Sequence, residues 1–239
     1  MGNQMRPVSQ SALNKFRDCP KQYWFGYCTD FQPIYYSQDA FDVGKYAHKA
    51  IELYYKHSFV FGATEEEILF YSYKNLKKVW DTTLSVADFS KAYTSLQNHA
   101  NWLSEYELSE IPSVEDDVYT KKWHAIVDFR TSKKVIDWKT NKYASLSYQY
   151  RIQAQINKWA IDGKYGTNLE HFYFFFLYPN EWRTVAFNKK SQLKVAQEVL
   201  MLYEAMQKAY DNDEFLAKPR TEHGCNGCPY HYYCKTLNY

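Results

Sequence analysis

Two aspartates nine residues apart, with a lysine two residues past the second, are the side chains of this 239-residue chain best placed to do chemistry. They lie in the run Asp128-Phe-Arg-Thr-Ser-Lys-Lys-Val-Ile-Asp137-Trp-Lys139-Thr140. The flanking runs are β-type and the turn Thr131-Ser-Lys-Lys134 is polar, so successive strands of a hairpin are expected. Side chains at i and i+2 of a strand share a face, so Asp137 and Lys139 point together and Trp138 points the other way. Asp128, on the partner strand, can reach the same spot. That combination suits phosphodiester hydrolysis. Two carboxylates offer hard oxygen ligands to Mg2+ or Mn2+ at about 2.1 Å. The metal activates water and offsets charge developing on the phosphate. A neighbouring lysine can orient or deprotonate the water, or stabilise that charge. Taken alone, Asp-x-Lys is also a common solvated strand end.

Two helical motifs flank it. Upstream, Gly44-x3-His48-x3-Glu52 puts His48 and Glu52 one turn apart on one helix face. His48 is either a further metal ligand or a packing histidine. Downstream, in Gln155-x3-Trp159, Gln155 could hold a backbone phosphate or the lysine, or be an ordinary surface amide.

A second constellation is a split cysteine set. Cys19 stands near the start, and Cys225, Cys228 and Cys234 close the chain as C-x2-C-x5-C. Four thiolates can complete a tetrahedral zinc site or hold a four-iron cluster, and ligand chemistry alone leaves both open. In a reducing compartment cysteines argue for metal rather than disulfides. A metal joining Cys19 to Cys225 closes a loop of about 206 residues, which restricts the unfolded chain by roughly 5 kcal/mol. The fifth cysteine, Cys28, lies in an aromatic run and is expected to act as a buried small hydrophobe.

Taken together these pieces resemble the RecB-like branch of the PD-(D/E)XK nuclease superfamily. Within it they look most like the iron–sulfur members, the Cas-four nucleases of CRISPR adaptation and the AddB-type recombination nucleases. The order is the family's: Ser9 to Cys19-Pro20, Gly44…His48…Glu52, Asp128, Asp137-Trp-Lys139-Thr140, Gln155, then the three terminal cysteines. The resemblance implies that His48, Asp128 and Asp137, with the backbone carbonyl of Trp138, ligate the catalytic divalent metal. Lys139 would be the catalytic lysine and Gln155 the following motif. Cys19, Cys225, Cys228 and Cys234 would hold a structural [4Fe-4S] cluster. Glu115 stands where family members often carry an acid, but Asp116 and Asp117 adjoin it and no role is assigned. Ala125 replaces a usual glycine and Trp159 a usual tyrosine.

The elements that must position these groups follow from periodicity. Ser9 is a helix N-cap for Leu13 and Phe16, and Pro20 suits the first turn of a helix through Tyr27. Residues 39–58, 65–80 and 86–108 read as helices. Val118 to Phe129 and Val135 to Trp138 read as strands, Tyr148 to Ile161 as a helix, and His171 to Leu177 as a strand buried on both faces. Trp182 to Phe187 reads as an adjacent strand and 189–212 as a long amphipathic helix. The fold expected is α/β: a restriction-endonuclease-like core, with a central mixed sheet flanked by helices, an N-terminal helical insertion and a C-terminal cysteine lobe. The expected parts are 1–30, supplying one cysteine; 31–113, helical; 114–215, the nuclease core; and 216–239, the cluster lobe.

Net charge is only +2, but residues 115–160 carry 9 basic side chains against 5 acidic, while 31–114 carry 7 against 11. The basic stretch is compatible with a phosphate-tracking groove or with a solvated lysine face. Of Tyr23, Trp24 and Tyr27, which could stack bases, at least two are expected in the core. No stretch is apolar enough to span a bilayer and the N-terminus has no apolar signal region, so a cytoplasmic protein is expected, in the host cytoplasm if viral. The function expected is a metal-dependent deoxyribonuclease, a single-stranded DNA exonuclease with endonuclease activity not excluded. Its setting would be recombination and repair, CRISPR adaptation or viral DNA processing. Partners would be DNA single strands or ends and proteins of those pathways, with a homo-oligomer permitted. The alternatives are a non-catalytic DNA-binding or partner-docking module on the same fold, and an unrelated zinc-stapled protein.

Overall fold

The structure, a computed structural model, describes residues 5–34, 39–218, 225 and 227–237, with the side chains of 39–42 outside that description. Local signals set the helix starts. Ser9 Oγ accepts from the Ala12 amide to cap α1 (Gln10–Asp18), and Pro20 opens α2 (Pro20–Tyr27). After α3 (Asp39–His57), a reciprocal Thr64–Glu67 capping box starts α4 (Glu65–Val79), and Ser85 caps α5 (Val86–Glu105).

Five strands follow in one sheet of order β1-β2-β3-β4-β5: β1 (Ser113–Tyr119), β2 (His124–Arg130), β3 (Val135–Lys139), β4 (His171–Phe176) and β5 (Glu181–Ala186). Neighbours are antiparallel except β3 and β4, which run parallel because α6 (Tyr148–Tyr165) carries the chain across. The run 118–129, expected as one strand, is the end of β1 and most of β2. Thr120 turns the chain between them, its Oγ1 accepting from the amides of Lys122 and Trp123. This hydroxyl-made turn is hard to read among apolar neighbours.

β4 is buried on both sides. Phe172, Phe174 and Phe176 enter a core shared with α1, α6 and α7 (Lys190–Asp211), while Phe175 enters a second core with Ile136, Trp138 and residues of α3 and α5. The sheet is thus the middle layer, with α3 and α5 on one face and α6 and α7 on the other. Among the described residues no helix is long and apolar enough to cross a membrane.

The chain's end folds back on its beginning. Tyr230 stacks on Phe25 at 5.5 Å, Tyr233 packs on Phe31 at 4.6 Å, and the Ile34 amide donates to the Pro229 carbonyl. A short helix, α8 (His231–Thr236), completes this lobe.

Candidate active site

Asp128, Asp137 and Lys139 meet because the β2–β3 ladder stops early. Paired residues end at Phe129 opposite Ile136. One step further, where Asp128 would face Asp137, the Asp128 carboxylate itself accepts the Trp138 amide at 2.7 Å. The paired register ends there, beside two carboxylates that are 7% and 2% exposed.

Asp137 Oδ2 lies 2.5 Å from Lys139 Nζ, its partner two residues along the same face. The carboxylate is buried, and the contact is a close ion pair. Its other oxygen accepts from Gln153 Nε2 on α6. From α3, His48 Nδ1 stands 3.6 Å from Asp128 Oδ2, an ion-pair distance rather than a hydrogen bond. Ligand atoms of His48, Glu115 and Asp128 all lie within 4.8 Å of one another, the one such group among the described residues.

Glu115 enters by an unusual backbone. The register on either side, Val114 with Phe129 and Asp116 with Val127, sets it across from Asp128. Its φ is +51°, a left-handed conformation that costs a non-glycine residue about 1 kcal/mol or more. This breaks the strand's alternation. Glu115 goes to the site, Asp116 pairs with Arg130 at 2.8 Å, and Asp117 contacts His124.

Electrostatics show a site over-supplied with negative charge. Burial, then Asp128, pushes the Glu115 carboxyl up to about 7. Burial lifts Asp137 to about 6, Lys139 pulling against it and Asp128 adding to it. Burial would raise Asp128, but His48 and Lys139 hold it below the ordinary range. Burial would lower both cations, yet the carboxylates win, leaving His48 and Lys139 raised. Three crowded carboxylates and an imidazole form a donor set suited to a hard or borderline divalent cation. The cleft above holds about 600 Å3 and is lined also by Lys45, Lys49 and Glu52.

Gln155 and Glu52 each have partners of their own. Gln155 is 4% exposed, and its Oε1 accepts from Gln192 of α7 at 3.1 Å. That bond ties it to α7. Gln153 takes the place at Asp137, because residues two apart on a helix point nearly opposite ways. Glu52 lies near, but its carboxylate is held by Lys49 and Lys56 at 2.8 and 2.6 Å. Gln153 was invisible beside Gln155, and Glu115 was visible only as the first of three acids. Tyr23 is 3% exposed and stacks on Tyr27, so it belongs to the core; Trp24 and Tyr27 are half-buried against the same core.

A family model of the PD-(D/E)XK nuclease superfamily matches residues 7–235. The chain belongs to the PD-(D/E)XK nuclease superfamily. No curated protein matched it. Superfamily membership carries a metal-dependent nuclease activity, and the sheet and flanking helices are those of a restriction-endonuclease-like fold.

Cys19, Cys225 and Cys228 lie in the neighbourhood of Cys234, away from the carboxylates. Cys19 lies between α1 and α2, which the terminal lobe covers. Burial raises the Cys234 thiol, and Cys19, Cys228 and Cys225 add to the rise by proximity. The four thiols are soft donors that lie near one another, and among the described residues no three of their sulfurs come within 4.8 Å of each other. Cys28 stays outside this group, half-buried, its thiol raised by burial.

Proposed function

We propose that this PD-(D/E)XK protein is a RecB-like, iron–sulfur nuclease that digests single-stranded DNA from its ends. The observation that carries the reading is the convergence of His48, Glu115 and Asp128 beside the Asp137–Lys139 pair. His48, Glu115, Asp128, Asp137 and the Trp138 carbonyl would hold Mg2+ or Mn2+. When bound, that ion supplies an activated water and charge neutralisation at the phosphate. Lys139, held by Asp137, orients the attacking water and offsets charge on the phosphorane oxygens. Gln153 keeps the Asp137 carboxylate aimed. The products would be a 5′-phosphate and a 3′-hydroxyl. Cys19, Cys225, Cys228 and Cys234 would hold a [4Fe-4S] cluster as a structural clip. The setting is DNA recombination and repair, CRISPR adaptation or the DNA processing of a virus.

The test is an anaerobic preparation whose visible spectrum is recorded before incubation with end-labelled single-stranded DNA, with and without Mn2+, beside Lys139→Ala. Expected are broad iron–sulfur absorbance and Mn2+-dependent cleavage that the variant lacks. A coloured protein that binds DNA but cuts nothing with any divalent metal would make the fold a binding module. A colourless, active protein would keep the nuclease and replace the cluster with zinc.

A further inference from the structure

The hairpin that carries the carboxylates has a second concave site at its other end. The β2–β3 turn and the loop between α6 and β4 bound a cleft of about 430 Å3. Arg130, Lys133, Lys134 and His171 line it together with Thr167 and Asn168. Among the described lining residues Glu170 is the single carboxylate, and it is exposed.

Lys134 is the unusual member. Its Nζ is 4.6 Å from the ring centre of Tyr106, 5.2 Å from Tyr173 and 5.5 Å from Trp182. Ring faces attract a cation but do not neutralise it. No carboxylate pairs with Lys134 among the described residues, and burial holds its pKa below the ordinary lysine value. By contrast Arg130 is engaged by Asp116, and the Glu110 carboxylate lies near Arg130 and Lys133. The turn's own amides are taken: Ser132 donates to Glu110, and Lys133 and Lys134 donate to Thr131 Oγ1. A ligand here would therefore be received by side chains, and the uncompensated charge calls for an anion.

We propose that this cleft binds a backbone phosphate of the nucleic-acid strand, away from the bond being cut. The proposal rests on the nuclease reading. Lys134 and Lys139 are five residues apart in extended chain, ~16 Å. A phosphate at Lys134 therefore lies several nucleotides from the hydrolytic site. The contact holds a long strand in register and gives nothing to a substrate too short to reach both. A strand phosphate is favoured over an acidic peptide because the hairpin joins this cleft directly to the phosphodiester-cutting residues.

The test compares wild type, Lys133→Gln and Lys134→Met, the last keeping an apolar stem over the rings. Binding of a fluorescent single strand of about 20 nucleotides is measured in EDTA across salt concentrations, where each phosphate contact contributes about 0.7 to the slope of log K against log salt. Expected is a slope smaller by about 0.7 in each variant, with Kd weakened several-fold. Hydrolysis of bis(p-nitrophenyl) phosphate with Mn2+ should be unchanged. Unaltered slope and Kd in both variants would overturn the proposal. So would inorganic phosphate or an acidic peptide occupying the cleft as tightly as the strand does. Should Lys134→Met fail to fold, Lys133→Glu, at an exposed position, decides by the same readout. Wild-type protein that binds the strand but never hydrolyses the small diester would defeat the nuclease reading and leave the binding result standing.

Discussion

Glu115, Asp128 and Asp137 crowd together where water is scarce, and among the described residues Lys139 and His48 answer their charge. Such a site is built to be unstable until a cation arrives. Removing one charge should therefore relieve the metal-free protein. In EDTA, Glu115→Gln should raise Tm by about 3–6 °C, from ~1–2 kcal/mol of lost repulsion. With Mn2+ the order should reverse, because the variant loses a ligand oxygen, and cleavage should fall at least tenfold. Thermal unfolding with and without the ion checks this. A variant no more stable than wild type in EDTA would mean that Glu115 does not share the carboxylate cluster.

At the scale of elements, two contacts seat α3 against the sheet. Gly44 is one: a Cβ there would lie 2.8 Å from Thr140 Oγ1, just past Lys139. Gly44→Ala gains helix propensity worth up to about 1 kcal/mol, so the fold should tolerate it. The contact must still give, and α3 carries His48. Cleavage should drop several-fold in Gly44→Ala and recover in Gly44→Ala/Thr140→Ala, a double-mutant cycle measured as kcat/KM. The second contact is His99 of α5, which is 0% exposed, meets the Tyr55 hydroxyl at 3.2 Å, and packs against the rings of Trp102 and Trp138. Burial lowers its pKa to about 3. Its folded pKa is below the unfolded value of about 6.5, so its contribution is full above that value and is lost as pH falls toward the folded one. The loss could reach on the order of 4 kcal/mol. Tm should fall more steeply between pH 6 and 4 in wild type than in His99→Gln, and equal slopes would show that His99 does not drive the acid transition.

On the scale of the whole molecule, the two chain ends are docked by aromatic stacking and bring Cys19 to the terminal cysteines. If these four hold a cluster, they clip the nuclease core shut. Cys19→Ser and Cys234→Ser should each lose the visible absorbance and lower Tm by about 10 °C, with roughly 5 kcal/mol as the ceiling for closing so long a loop. Cys28→Ser should lose neither, since Cys28 faces Tyr23 and stays outside the four. Equal damage from Cys28→Ser would disprove the assigned ligand set.

Residue order alone specified the elements and half the site. Capping residues and apolar spacing marked α1 to α7 within a few residues, because those signals act between neighbours in the chain. Period-two geometry put Asp137 beside Lys139, and the hairpin turn brought Asp128 near. Tertiary structure decided the rest. Which acid of Glu115-Asp116-Asp117 faces the cleft depends on one positive φ that residue types do not disclose. Whether Gln153 or Gln155 serves Asp137 depends on how α6 is rotated, and the packing of Gln155 on Gln192 of α7 sets that rotation. The Lys134 cleft joins turn, loop and three aromatic rings from distant parts of the chain. Spacing governs what neighbours in a chain can do, but charge accumulates between elements only once the sheet has brought them together.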